Sequence, residues 1–104
     1  MFATVRRYEG IDSTNIDELT KKVGESLAPK LSKLPGFSSY FLINTGNGVM
    51  SSIGLFETST QANESTRVAS EWVRDEKLEN ILQNPPKVTD GEVIVHKTNG
   101  LVKA

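Results

Sequence analysis

The segment GFSSYFLINTGNGVMSSIGLFETS, from Gly36 to Ser59, leaves few choices of fold. Residues 37–44 and 49–57 are rich in aromatic and β-branched side chains and flank the sequence TGNG. Several residues of TGNG tolerate positive φ angles, so the segment predicts two antiparallel strands joined by a turn. Alternation places Phe37, Phe41 and Ile43 opposite Tyr40 and Leu42, and Val49, Ile53 and Leu55 opposite Met50 and Phe56. Both faces of this hairpin are therefore apolar, and both must be covered.

A helix is predicted on the N-terminal side of the hairpin. Asn15 and Glu18 resemble a capping box at its start, Pro29 should kink it, and Pro35-Gly36 should end it. Its apolar residues recur at intervals of three and four and form one stripe: Ile16, Leu19, Val23, Leu27, Leu31 and Leu34.

A second helix is predicted on the C-terminal side, starting with a capping box at Thr58 and Gln61. The apolar residues of its first part and of residues 78–82 lie on nearly opposite sides of an ideal helix. One straight helix cannot bury both sets, so a break is expected within residues 75–77. A short helical piece should then continue to Pro85-Pro86.

Alternating patterns over Phe2–Glu9 and Lys87–Lys97 predict the first and last strands. The order β-α-β-β-α-β predicts an α+β, ferredoxin-like fold, with a four-stranded antiparallel sheet and two helices on one face. We expect one domain over residues 1–98 and a C-terminal tail over residues 99–104.

Composition excludes several functions. Twelve basic residues balance thirteen acidic ones, which argues against nucleic acid or an anionic membrane as a partner. The absence of cysteine excludes disulfides and thiolate metal sites. No apolar run approaches the length of a membrane span and no signal-peptide pattern is visible, so a cytoplasmic protein is expected.

Two helices cover only one face of a four-stranded sheet, yet the hairpin is apolar on both. The economical solution is a homodimer that buries the open sheet face, because twofold pairing is the commonest oligomeric arrangement. The alternative is that a few apolar side chains are simply exposed.

The stretches LPGFSSYFLIN, GLFET, ESTRVASEWV and GEVIVH, with the glycine turn, resemble the dimeric α+β barrel superfamily. Within it, the chain is most similar to the uncharacterised proteins grouped with antibiotic biosynthesis monooxygenases. The resemblance implies a dimer with a pocket between sheet and helices that binds an aromatic ligand. It further implies a substrate anion that reduces oxygen itself, with no metal, flavin or other cofactor.

The candidate catalytic residues are Trp72, Tyr40 and His96, for a pocket wall, a phenolic hydrogen bond and a general base. The alternative roles are core packing for Trp72, a structural role for Tyr40 and a solvent-exposed position for His96. No metal ligands are predicted, because a single histidine without cysteines is not a metal set. Haem-degrading members of the superfamily use an asparagine on the first strand, and a histidine and a tryptophan on the second helix. This chain has neither the asparagine nor the histidine there, although Trp72 is retained.

The candidate substrate-binding residues are Tyr8, Arg7, Arg67 and Asn63. Arg6 and Arg7 are adjacent in a strand and must point to opposite faces, so one of them enters a covered region. There it needs a carboxylate or an anionic ligand. For Arg67 the alternative is a solvated helix arginine.

Two functions therefore remain open. One is a cofactor-independent monooxygenase acting on an aromatic or quinol-type small molecule. The other is a non-catalytic, ligand-binding or stress-associated dimeric barrel protein. A ligand-sized cavity lined by Trp72 and by Tyr40, Tyr8 or Arg67 would favour the enzyme, and a filled core would favour the second function.

Overall fold

A computed structural model describes residues 1–97, so the predicted tail over residues 99–104 lies outside the described residues. The first helix consists of three consecutive segments, of which the middle one is a π-helical turn. The elements are β1 (Phe2–Tyr8), α1 (Ile16–Lys22), the π turn (Val23–Leu27), α2 (Ala28–Ser32), β2 (Phe37–Gly46), β3 (Val49–Phe56), α3 (Ser59–Asp75) and β4 (Lys87–Glu92).

The four strands form one antiparallel sheet in the order β2-β3-β1-β4. This confirms the predicted ferredoxin-like fold. The helices cover one face, to which β1 contributes Thr4, Arg6 and Tyr8, and β3 contributes Met50 and Phe56. The opposite, outer face carries the alternate residues of each strand.

The faces of β2 differ from the prediction at Phe37. A β-bulge follows Phe37, because Phe37 pairs with Phe56 while Ser39 already pairs with Leu55. The extra residue turns Phe37 towards the helices, where its ring meets that of Phe56 edge-to-face at 5.7 Å. The prediction that Phe37 shares a face with Phe41 was therefore wrong, whereas Tyr40 does lie opposite Phe41.

The first helix confirms the predicted stripe: Leu19, Val23, Leu27 and Leu31 are buried, and Ile16 and Leu34 pack against them. The π turn ends two residues before Pro29, and the amide of Ala28 bonds to the carbonyl of Val23, five residues back. A wider turn accommodates the proline ring without a sharp break.

The predicted N-terminal capping box of this helix does not form. Asn15 makes no side-chain capping bond. Instead, Asp12 accepts a hydrogen bond from the Thr14 amide at 2.9 Å and caps a short 3-10 turn that precedes α1. Asp12 and Asn15 are both suitable capping residues and lie three positions apart, so the spacing alone does not predict which of them caps the helix.

The helix α3 starts as predicted, with a complete capping box between Thr58 and Gln61. It also ends where a break was predicted, because α3 stops at Asp75 and Lys77 adopts a φ of 59°. The predicted short helix beyond is only one turn, closed by the Leu82 amide on the Leu78 carbonyl. That turn buries Leu78 beneath the end of α3.

The last strand is shorter than predicted. It ends at Glu92, and one further backbone bond joins the Val93 amide to the Met1 carbonyl. Ile94, Val95 and His96 are exposed and lie outside the sheet. None of the helices within residues 1–97 is long and apolar enough to cross a membrane.

Candidate active site

A small cavity of about 30 Å³ lies between the sheet and the helices. Its walls are mostly apolar, with side chains from the first helix, β3 and the end of α3. The polar side chains among its lining residues are Arg6, Tyr8, Tyr40 and Ser52, and Trp72 closes it from α3. The volume is enough for one or two water molecules.

Arg6 is the most unusual residue of this cavity, because only 2% of it is exposed. One terminal nitrogen donates to the Thr66 hydroxyl on α3 at 3.2 Å, while Nε has no hydrogen-bond partner. Within residues 1–97 no carboxylate forms an ion pair with Arg6. A buried guanidinium with an unbonded donor is unfavourable for folding, which makes Arg6 a candidate contact for a ligand.

Ser52 carries the second unsatisfied atom of the cavity. It lies directly across the sheet from Arg6 in the β1–β3 register, is 2% exposed, and its Oγ has no partner. Two free polar groups from neighbouring strands thus converge on one space. Together they can bind an oxyanion, with Arg6 supplying the charge and Ser52 a hydroxyl donor.

Tyr8 and Tyr40 are half-buried phenols that line the same space. Burial raises the pKa of each phenol above its usual 10.0, and the positive charge of Arg6 opposes that rise only in part. Both side chains are therefore neutral near pH 7 and can donate hydrogen bonds.

Trp72 is 2% exposed and packs in the core. Its indole nitrogen donates to the Ser26 hydroxyl at 2.9 Å, which ties α3 to the π turn. The ring lines the cavity, but its one donor is already used. Trp72 can therefore serve as an aromatic wall, without a free hydrogen bond for a ligand.

A larger groove of about 260 Å³ adjoins the cavity and opens to solvent between the first helix and β2. Val23, Tyr40, Leu42 and Met50 line both spaces. A third space of about 160 Å³ lies on the other side, next to Tyr8 and the proline pair.

Several solved structures share this architecture. A monooxygenase from the ActVA-Orf6 gene of Streptomyces coelicolor, in complex with nanaomycin D, superposes with a TM-score of 0.71 and 17% identity over 94% of this chain and 91% of that one. A Nitrosomonas europaea protein of unknown function gives 0.74 and 16%, over 94% and 93%. A MhuD variant with two manganese protoporphyrin IX molecules per active site gives 0.73 and 15%, over 95% and 100%.

The chain has the fold of antibiotic biosynthesis monooxygenase-like proteins. The resemblance predicted from the sequence is thus confirmed for the fold. No protein-family model matches the sequence, and no curated protein matches it significantly. Because the similarity to these structures is one of backbone fold, the chemistry of the site must be inferred from the side chains of this chain.

On this monooxygenase-like fold, the predicted site residues separate into two groups. Tyr8, Tyr40 and Trp72 line the cavity together. The other four are exposed and do not line it: Arg7, Asn63, Arg67 and His96.

The exposed arginines have carboxylate partners at the surface. Arg7 pairs with Glu9 at 2.7 Å on the outer side of the sheet. Arg67 bonds to both Glu64 and Glu71 along α3. Residues 1–97 contain no cluster of three metal-ligating side chains.

Arg6 is the residue that the sequence interpretation missed. The alternation of β1 placed Arg6 on the same face as Tyr8, which was itself a candidate. That shared face was the available signal. Arg7, the predicted candidate, points to the opposite face of the sheet from Tyr8.

Proposed function

We propose that this protein is a cofactor-independent monooxygenase that acts on an aromatic, quinol-type molecule bound beside Arg6. The observation that carries the proposal is the buried, incompletely bonded Arg6 in a cavity walled by two tyrosines and a tryptophan. A guanidinium held in a low-dielectric site favours the anionic form of a phenol. The phenolate is the form that oxygen oxidises.

The chemistry can be balanced without a further reductant. A phenolate with a C–H para to its oxygen gives one electron to O₂, and the resulting radicals join through a new carbon–oxygen bond. The ring C–H proton then leaves, the O–O bond breaks, and the distal oxygen departs as water. Overall a phenol and O₂ give a para-quinone and water, with all four electrons for O₂ taken from the substrate.

The residues assist this reaction by position and charge. Arg6 and Ser52 hold the oxyanion, while the neutral Tyr8 and Tyr40 are available as donors. The apolar walls exclude water, which strengthens these interactions. Haem is not proposed as a ligand, because no histidine is among the residues that line the cavity.

Oxygen uptake with a panel of phenols and dihydroxy-aromatics tests this function. We expect uptake above the uncatalysed rate, with one oxygen atom of labelled O₂ incorporated into the product. Arg6→Met should lower the rate on the order of a hundredfold, as for loss of an oxyanion-binding donor. Arg67→Met removes the same charge from the surface and is the matched control, and His96→Ala should also have no effect.

A non-catalytic ligand-binding protein is the second candidate. It is favoured by the small volume of the cavity and by the engagement of Trp72 with Ser26. Binding of phenols that depends on Arg6, without oxygen uptake for any substrate in the panel, would establish this function and reject the monooxygenase.

We also propose that the protein is a homodimer formed through the outer sheet face, and that it acts in the cytoplasm. Phe41 and Ile43, at 52% and 41% exposed, support the dimer because they place apolar surface on a face that no helix covers.

A further inference from the structure

The groove beside the cavity differs from it in size and in polarity. It has about 260 Å³ of free volume against about 30 Å³ for the cavity, and it is open to solvent. No charged side chain lines it among the described residues, and Thr20, Tyr40 and Asn44 are its only polar ones. The combined site therefore has a narrow, charged end at Arg6 and a wide, uncharged end in the groove.

Gly24 lines this groove in the middle of the first helix, within the π turn. A glycine inside a helix costs about 0.5–1 kcal/mol relative to alanine. No packing contact requires it, because a Cβ atom at this position would meet nothing within 4 Å, and its φ is not positive. What a side chain at Gly24 would occupy is the open space of the groove.

We propose that the groove binds an apolar substituent of the substrate, so that the substrate is a phenol carrying an alkyl chain, and that Gly24 sets the width of the groove. This inference rests on the proposed function. The phenol oxygen lies towards Arg6 and Ser52, where space is scarce. The chain extends past Tyr40, Leu42 and Met50, which line both spaces, and along the helix at Gly24 and Ala28.

Binding of phenol and of 3-pentylphenol tests the inference, followed by the fluorescence of Trp72, the only tryptophan. Burial of one methylene is worth up to about fourfold in affinity. We expect the wild-type protein to bind 3-pentylphenol on the order of tenfold or more tightly than phenol.

Gly24→Leu should abolish this preference, because the leucine side chain occupies the part of the groove that the alkyl chain would fill. Ala28→Leu narrows the same groove from the next turn and should act alike. Gly24→Ala and Glu25→Leu are the matched controls, since the first adds only a methyl group and the second adds the same side chain at an exposed position outside the groove. Both should retain the preference.

The possible failures are distinguishable. If phenol binding depends on Arg6 but 3-pentylphenol binds no more tightly, the inference is overturned and the proposed function stands. A preference that survives in both Gly24→Leu and Ala28→Leu also overturns the inference alone. If neither phenol binds, or if Arg6→Met binds both as well as the wild type does, the proposed function falls and the inference with it.

Discussion

At the scale of single residues, the burial of Arg6 is expected to serve ligand binding and to lower the stability of the fold. Its burial with a free Nε is unfavourable, whereas a methionine of similar length would fill the space with apolar atoms. We expect Arg6→Met to raise the free energy of unfolding by about 1–3 kcal/mol, the usual cost of a buried unsatisfied group. Urea denaturation measures this, and the same variant should lose phenol binding. A destabilised Arg6→Met protein would show that Arg6 is a structural residue.

The two tyrosines give a pH signature of the cavity. Their pKa values are raised in the folded protein, so the unfolded chain releases these protons first, near its usual value of 10.0. The stabilisation is complete below pH 10 and is lost as the pH rises through the folded values. We expect stability to fall as the pH rises above 10, and less steeply in the Tyr8→Phe/Tyr40→Phe double variant. Because the chain has only two tyrosines, tyrosinate absorbance reports this cavity alone. Titration near pH 10 in the folded protein would contradict the prediction.

Residue types and alternation predicted part of this site. Tyr8, Tyr40 and Trp72 were identified from their chemistry and from the elements that carry them. The burial of Arg6 instead of Arg7 was not, because both faces of β1 carry apolar residues and the pattern does not state which face the helices cover. The position of His96 relative to the cavity was not predictable either, because it depends on where β4 ends.

At the scale of elements, the π turn before Pro29 is the main departure from a regular helix. An interior proline without compensation costs about 3 kcal/mol, but here the wider turn already accommodates the ring. Pro29→Ala should therefore stabilise the protein by only about 1 kcal/mol or less, measured by urea denaturation. Gly24→Ala is the comparison and should stabilise it by about 0.5–1 kcal/mol. A gain of about 3 kcal/mol for Pro29→Ala would mean that the helix is strained.

Helices and hairpin were predictable from periodicity and capping, because these signals are local. The bulge after Phe37 and the early end of β4 were not. A bulge is a matter of register between two strands, and the length of an edge strand depends on its partner. Both features involve residues distant in sequence, which a pattern along one strand does not encode.

At the scale of the whole molecule, the outer sheet face remains to be explained. Phe41, Ile43, Val5, Ile53 and Leu55 share that face, and no helix of the described chain packs on it. Face-to-face pairing of two copies would bury these side chains without any new element.

We therefore expect the protein to sediment at micromolar concentration with twice its chain mass of 11.4 kDa. Phe41→Glu places a charge at the most exposed apolar position of the β2–β3 hairpin and should shift the protein to the monomer. Thr60→Glu adds the same charge at an exposed position in the first turn of α3 and should leave the dimer intact. A wild-type protein that sediments as a monomer at this concentration would refute face-to-face pairing, and the exposed aromatic surface would then be a feature of the single chain.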